Sequence, residues 1–163
     1  AGLSSVNFES PINEILENLN KIIKKVGIGR NRMCLNICHV TENHFEICSA
    51  GMPPTYLFKS EPNSIDELMI SGLPAGSLKN SKYSSEKIEF NKNDIIVMIT
   101  DGLPECENLD GEFIGYERIK DAILNNSSKS AGEIKNNLTK LGQDWMQGNP
   151  ITDDITFVVI KKC

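Results

Sequence analysis

Two acidic positions, each at the end of an apolar stretch, are the residues of this sequence best suited to chemistry. Asp101-Gly102 directly follows the apolar segment 94–100, and Asp153-Asp154 directly precedes the apolar segment 155–160. In neighbouring antiparallel strands the C-terminal end of one lies beside the start of the other, so we expect Asp101 and Asp153 at one sheet edge. Carboxylates at such close range repel each other and resist desolvation. A hard cation that prefers oxygen ligands, Mg²⁺ or Mn²⁺, would stabilise them.

The same residues also have an ordinary structural interpretation. Asp-Gly after a strand is common in turns, and Asp before a strand is common in loops. Only two carboxylate clusters are visible, whereas a metal site usually has more oxygen donors. Spacing alone therefore leaves both interpretations open.

Composition predicts one soluble globular domain, spanning 1–163. Apolar residues make up 39% and charged residues 24% of the 163 residues. The net charge of -5 argues against a nucleic-acid partner. No apolar run is long enough for a membrane span and no signal peptide is visible, so we expect a cytoplasmic domain without direct membrane contact.

The five cysteines predict a reduced protein rather than a disulfide framework or a cysteine-based enzyme. Their number is odd, no pair has CxxC spacing, and none begins a C-x5-R loop. A zinc site remains an alternative for the segment 34–48, although the usual ligand spacings are absent. We interpret Cys34 and Cys38 as small core residues on one strand face. The five residues are Cys34, Cys38, Cys48, Cys106 and Cys163.

Hydrophobic periodicity predicts an α+β domain of antiparallel sheets covered by helices. A first helix follows Ser10-Pro11 and ends at Gly27 and Gly29, and 1–6 resembles the tail of another helix. Strands are expected at 33–40, 45–50, 56–58, 68–70 and 85–90, with a polar loop at 59–66. The segments 94–100 and 155–160 are apolar on both faces and read as central strands. Two further helices are expected, one from Tyr116 and one from a capping box at 130–133.

Four segments together resemble the protein phosphatase 2C (PPM) family in its bacterial SpoIIE-like branch. SAGMPPTYLF at 49–58 resembles that family's NAGHPPPLL-type strand and turn, and GLPAGSL at 72–78 its G-x-P-L-G segment. ITDGLPECENLDGEFIGYERI at 99–119 resembles the S/T-D-G-L-x-E-x-x-N motif. DDITFVVIK at 153–161 resembles the closing D-D-x-T strand. The four motifs occur in the family's order and extend over most of the chain.

The resemblance implies a role for each matching acidic residue. Asp101 and Asp153 match metal ligands and would act catalytically through the metal. Asp154 would contact the ligands rather than the metal, and Gly102 would let the loop backbone pass close to the site. Two Mn²⁺ or Mg²⁺ ions in such enzymes share a water that attacks phosphorus in line, without a covalent phosphoenzyme.

Two acidic motifs of the family, a G-G-D strand and a D-V-S-G-H-G turn, do not occur in this sequence. The resemblance therefore implies a PP2C-like β-sandwich that is incomplete at its N-terminus. We expect such a fragment to bind metal poorly and to be nearly inactive. An exposed sheet edge left by missing strands could support a dimer.

The leading functional hypothesis is a serine/threonine phosphatase domain acting on a phosphoprotein. The branch implies a STAS-type anti-anti-sigma factor as substrate, in partner-switching signalling, and a parent protein that could be membrane-anchored. The alternative is a non-catalytic pseudophosphatase that docks a signalling partner. The presence or absence of the two upstream acidic motifs in the parent gene discriminates between them.

Overall fold

The computed structural model describes residues 9–26 and 32–163. Three helices and seven strands are found there, and all strand pairs are antiparallel. The expected α+β class is therefore confirmed. The predicted helix tail at 1–6 and the helix stop at Gly27 and Gly29 lie outside the described residues.

The described chain divides into two compact units. The first contains the described residues up to Met52 together with Ile70–Phe90, and the second contains Pro53–Met69 and Asn91–Cys163. The single domain expected from composition remains a prediction. Among the described residues, no helix is long and apolar enough to span a membrane.

The first unit consists of α1 (Ile12–Val26) and a three-stranded sheet in the order β1-β2-β5. Strands β1 (Leu35–Val40) and β2 (His44–Ala50) form the predicted hairpin, and β5 (Ser85–Glu89) pairs with β2. The apolar stripe of α1 faces this sheet, because apolar residues spaced three and four apart share one face of a helix. The buried cluster between them contains Ile12, Leu16, Cys48, Ala50, Ala75 and Tyr83.

A buried asparagine ties α1 to the segment that leads into β5. Asn20 is fully buried, and its Oδ1 accepts the Gly76 N–H at 2.8 Å. Its Nδ2 donates to the Leu78 carbonyl at 2.9 Å. Because buried polar groups are costly unless paired, these bonds fix the irregular turn against the helix.

The second unit has a four-stranded sheet in the order β4-β3-β6-β7, with two helices. Its strands are β3 (Thr55–Lys59), β4 (Ser64–Leu68), β6 (Ile95–Ile99) and β7 (Phe157–Lys161). Helix α2 (Gly115–Asn125) contacts β3 and β4, and α3 (Ala131–Met146) contacts α2 and β7. The core includes Tyr56, Phe58, Ile95, Val97, Ile99, Ile119, Ile123, Ile134 and Leu138.

The predicted capping box opens α3. Ser130 Oγ accepts the Glu133 N–H at 3.3 Å, and Glu133 Oε2 accepts the Ser130 N–H at 3.0 Å. Both bonds satisfy amide groups that a helix N-terminus otherwise leaves unpaired. Trp145, on this helix, is partly buried against the core of the second unit.

Two strand predictions were wrong. The polar segment 59–66 contains only a short turn, with Asn63 at φ 65°, and β4 starts at Ser64 rather than at residue 68. As the last strand on its side, β4 exposes Asp66 and Glu67, so its composition resembles a loop. Strand β7, expected to be central, is the last strand of the described part of its sheet, and Val158 is 47% exposed.

The interpretation of Cys34 and Cys38 as core residues was also wrong. Both are exposed in the structure, whereas Cys48 and Cys106 are buried. Cys38 lies on the first strand of its sheet, and its alternation with Leu35 and Ile37 places it on the face away from α1.

Candidate functional site

The ends of β6 and β7 bring the two acidic turns to the same edge of the sheet. Ile99 pairs with Phe157, and the ladder continues where the Thr100 N–H donates to the Thr156 carbonyl at 2.9 Å. Asp101 follows Thr100 directly, and Asp153-Asp154 lies two residues before Thr156. The C-terminal end of β6 thus lies beside the start of β7, as the sequence predicts.

The backbone of the first turn passes directly against the second turn. Gly102 is buried, and a Cβ atom there would collide with the Asp154 carbonyl oxygen. The same atom would lie 2.9 Å from the Asp154 carbonyl carbon and 3.3 Å from the Ile155 nitrogen. Only glycine allows this approach without displacing one of the turns.

The three aspartates of these turns are exposed and carry no basic partner among the described residues. Asp153 Oδ1 accepts the Asp154 N–H at 2.7 Å, which orients the Asp153 carboxylate on its own turn. Carboxylates without a basic partner are donors of the kind that Mg²⁺ and Mn²⁺ select. In chemistry and exposure, Asp101 and Asp153 therefore fit a divalent cation.

These carboxylates do not complete a metal site by themselves. In 9–26 and 32–163, no group of three or more His, Cys, Asp or Glu side chains is arranged to hold a metal ion. Asp101 and Asp153 would need further oxygen donors to enclose one, since Mg²⁺ in proteins is six-coordinate.

The long loop after Asp101 is held by side chains of its own, of α3 and of the turn that follows α3. Asn108 Oδ1 accepts the N–H groups of Asp110 at 3.0 Å and Glu112 at 2.8 Å. Asn149 Nδ2 donates to the Asn108 carbonyl at 2.7 Å, and Trp145 Nε1 donates to the Glu112 carbonyl at 3.0 Å. These bonds give the loop a fixed path between the site and helix α2.

A tyrosine near the acidic turn was missed by the sequence analysis. Burial raises the pKa of Tyr116, and the negative charges of Glu105 and Asp101 raise it further. Tyr116 is the second residue of α2, while Asp101 and Glu105 precede that helix by a long loop. Its proximity follows from the folding of the loop, and no spacing in the sequence indicates it.

A buried thiol lies behind the same turn. Cys106 Sγ contacts the Gly102 carbonyl oxygen at 3.2 Å as a hydrogen-bond donor, and both residues line a cavity of about 120 Å³. Burial raises the pKa of the Cys106 thiol. A thiol with a raised pKa is a poor nucleophile, so Cys106 acts here as a packing and hydrogen-bonding group.

Comparison with known proteins identifies the family. The family model described as Stage II sporulation protein E (SpoIIE) matches residues 4–162. The chain belongs to the SpoIIE family.

Among curated relatives, the chain is similar to the phosphoserine phosphatase RsbU of Bacillus subtilis (strain 168). The two are 26% identical over 157 residues, which covers 91% of this chain and 44% of RsbU. Protein IcfG of Synechocystis is 21% identical over 124 residues, covering 76% of this chain and 19% of IcfG. The chain thus spans less than half the length of these relatives.

Solved structures show that the fold is PP2C-like. The SiaA-PP2C domain of Pseudomonas aeruginosa superposes with a TM-score of 0.83 at 16% identity, covering 98% of this chain and 64% of that domain. The phosphatase domain of SpoIIE from Bacillus subtilis gives a TM-score of 0.62 at 15% identity, covering 99% and 69%. At these identities the likeness concerns the fold.

Proposed function

We propose that this chain is part of a metal-dependent protein serine/threonine phosphatase, with Asp101 and Asp153 as ligands of its catalytic metal. The observation that carries the proposal is the edge formed by β6 and β7. There, two turns meet around the close approach of Gly102 to Asp154, and their exposed carboxylates have no basic partner among the described residues. Membership of the SpoIIE family and the similarity to a phosphoserine phosphatase support the same activity.

The residues of the chain would hold and orient the metal rather than react with phosphate themselves. Bound Mn²⁺ or Mg²⁺ supplies a water of lowered pKa and neutralises charge on the phosphoryl oxygens. Asp101 and Asp153 would bind the metal, and Asp154 would hold Asp153 through the N–H that Asp153 Oδ1 accepts. Gly102 would keep the two turns at their short separation.

The proposed substrate is a phosphoprotein, in keeping with the name of the relative RsbU, phosphoserine phosphatase. We further propose that the phosphoprotein is a STAS-type anti-anti-sigma factor in a partner-switching pathway. We also propose that hydrolysis occurs in the cytoplasm and that the protein dimerises through a free sheet edge.

A non-catalytic partner-binding module is the second candidate. It is favoured by one observation, that the described residues include no group of three metal-binding side chains. Such a module would use the same acidic face for docking without hydrolysis.

The two candidates are distinguished by hydrolysis of p-nitrophenyl phosphate with Mn²⁺. The assay compares this chain with the full-length gene product that contains it, and tests Asp101→Asn and Asp153→Asn in the longer form. We expect the longer form to be active, the chain alone to be nearly inactive, and each variant to lose about 100-fold or more, because a metal ligand is removed.

Asp110→Asn is the matched control, since Asp110 is an exposed acid of the same loop that donates only its backbone N–H to Asn108. It should retain full activity. A longer form that hydrolyses neither this compound nor a phosphoserine protein with any divalent metal would establish the binding module instead.

A further inference from the structure

We propose that Thr100 is a positioning residue, whose hydroxyl sets the separation of the two acidic turns and thereby the metal affinity of Asp101 and Asp153. The inference rests on the proposed metal-dependent function. It assigns a role to a residue that would touch neither the metal nor the substrate.

The Thr100 hydroxyl joins the end of β6 to the turn before β7 in both hydrogen-bonding directions. Oγ1 shares its hydrogen between the Asp154 carbonyl at 3.1 Å and the Thr156 carbonyl at 3.3 Å, and it accepts the Thr156 N–H at 3.0 Å. The Thr100 backbone N–H donates to the Thr156 carbonyl at 2.9 Å. One residue therefore makes four hydrogen bonds across the strand ends, three of them through its hydroxyl.

These bonds act on the residues next to the carboxylates. Thr100 immediately precedes Asp101, and the carbonyl that it binds belongs to Asp154, the neighbour of Asp153. The Asp154 carbonyl is also the group against which Gly102 packs. Its position is thus fixed by a hydrogen bond from Thr100 and by van der Waals contact from Gly102.

Repulsion between the carboxylates opposes the close approach of the two turns, so a bond between the turns is needed to hold them together. Asp101, Asp153 and Asp154 carry like charges that repel each other in the absence of metal. Without the hydroxyl, a single backbone bond would hold the strand ends where the ladder terminates. The turns would then separate, and a bound cation would have to draw them together, which lowers its affinity.

Three substitutions separate the effect of the Thr100 hydroxyl from the effect of the rest of the side chain. Thr100→Val keeps the shape of the side chain and removes all of its hydrogen bonds. Thr100→Ser keeps the hydroxyl. The Thr100→Ala variant differs from the Thr100→Ser variant only by lacking that hydroxyl. The Ser and Ala pair decides the question should the Val variant fail to fold.

The chain offers a closely matched control at Thr41. Its Oγ1 donates to the His44 carbonyl at 3.2 Å and accepts the His44 N–H at 3.1 Å, in the turn between β1 and β2. Thr41→Val therefore removes the same two kinds of hydrogen bond elsewhere in the protein. Any general loss of stability should be similar in Thr41→Val and Thr100→Val.

The experiment is a Mn²⁺ titration of the full-length gene product, followed by the electron paramagnetic resonance signal of free Mn²⁺, with the thermal midpoint measured in parallel. We expect Thr100→Val and Thr100→Ala to bind Mn²⁺ about 10- to 100-fold more weakly, the usual effect of losing a group that orients a ligand. Thr100→Ser and Thr41→Val should bind as the unmodified protein does.

Equal Mn²⁺ affinity in Thr100→Ala and Thr100→Ser would overturn the inference and leave the proposed function intact. Weakened binding in Thr41→Val to the same extent as in Thr100→Val would overturn it too, by showing an effect of general stability. If the unmodified protein binds no Mn²⁺, the proposed metal-dependent function fails, and the inference fails with it.

Discussion

At the residue scale, the turn after β6 depends on a position with no room for a side chain. Gly102 approaches the Asp154 carbonyl so closely that even a methyl group would collide with it. The contact is with backbone, which cannot rotate away as the end of a flexible side chain can. A larger residue must therefore push the strand ends apart or deform the turn.

Gly102→Ala should destabilise the protein by about 1–3 kcal/mol, the usual cost of overpacking a buried position. The free energy of unfolding, from urea denaturation, measures the effect. Gly132→Ala is the control and should change the free energy of unfolding in the opposite direction. Gly132 lies in α3, and a Cβ atom added there would have no neighbour within 4 Å. It should stabilise by about 0.5–1 kcal/mol through helix propensity. A neutral Gly102→Ala would show that the two turns are not in close contact.

At the element scale, one buried carboxylate joins the turns that precede β4 and β6. Asp94 is 1% exposed, and its Oδ1 accepts the Ser60 N–H at 2.8 Å. Its Oδ2 accepts the Asn91 N–H at 2.9 Å and lies 3.4 Å from Lys59 Nζ. Burial opposes the charge of Asp94, but the bonds from Ser60 and Asn91 and the charge of Lys59 outweigh it and lower the pKa.

Asp94→Asn should destabilise the protein by about 2 kcal/mol at pH 7, because one amide oxygen cannot replace two carboxylate oxygens. A pKa lowered by folding stabilises the native state above the unfolded value of about 3.9. That contribution is lost as the pH falls through the folded pKa. The difference in the free energy of unfolding between Asp94→Asn and the unmodified protein should therefore shrink below about pH 4.

Urea denaturation at pH 7 and pH 3.5 measures the free energy of unfolding of Asp94→Asn and of the unmodified protein at each pH. Asp66→Asn, at an exposed acid of β4, is the control and should change stability by less than about 0.5 kcal/mol at either pH. A difference for Asp94→Asn that persists unchanged in acid would contradict the assignment of the effect to the carboxylate charge.

Elements with strong local signals could be predicted from the sequence. The stripe of α1, the hairpin of β1 and β2, the apolar strand β6 and the capping box of α3 are all found near the expected positions. Strand β4 was missed because the charged residues of an edge strand face water, as loop residues do. The exposure of Cys34 and Cys38 could not be foreseen, since it depends on which strands become neighbours.

For the candidate site, sequence reasoning could place the carboxylates but not their surroundings. Asp101 and Asp153 adjoin apolar strands, so their common edge follows from strand direction. The Thr100 hydroxyl bond to Asp154 spans 54 residues, and the proximity of Tyr116 to Asp101 depends on the loop path. Contacts of this kind are set by register and packing, which periodicity does not specify.

At the scale of the whole molecule, the sequence segments that carry the acidic turns contain no basic residue. The net charge is -5, and neither 93–117 nor 141–160 contains a lysine or an arginine. Three ion pairs lie away from the acidic turns, between Lys59 and Asp94, Lys82 and Glu17, and Lys120 and Glu67. Negative charge at this edge is therefore available to a cation from solution.

Calorimetric titration of the full-length gene product with Mn²⁺ tests whether Asp101 and Asp153 bind the same metal ion. We expect Asp101→Asn and Asp153→Asn each to lower the Mn²⁺ affinity by about 100-fold. The double variant should lose less binding free energy than the two single variants added together, since ligands of one ion are coupled. Asp110→Asn and Asp144→Asn, at exposed acids outside the two turns, should bind normally. Unchanged Mn²⁺ affinity in Asp101→Asn and Asp153→Asn would show that neither carboxylate is a metal ligand.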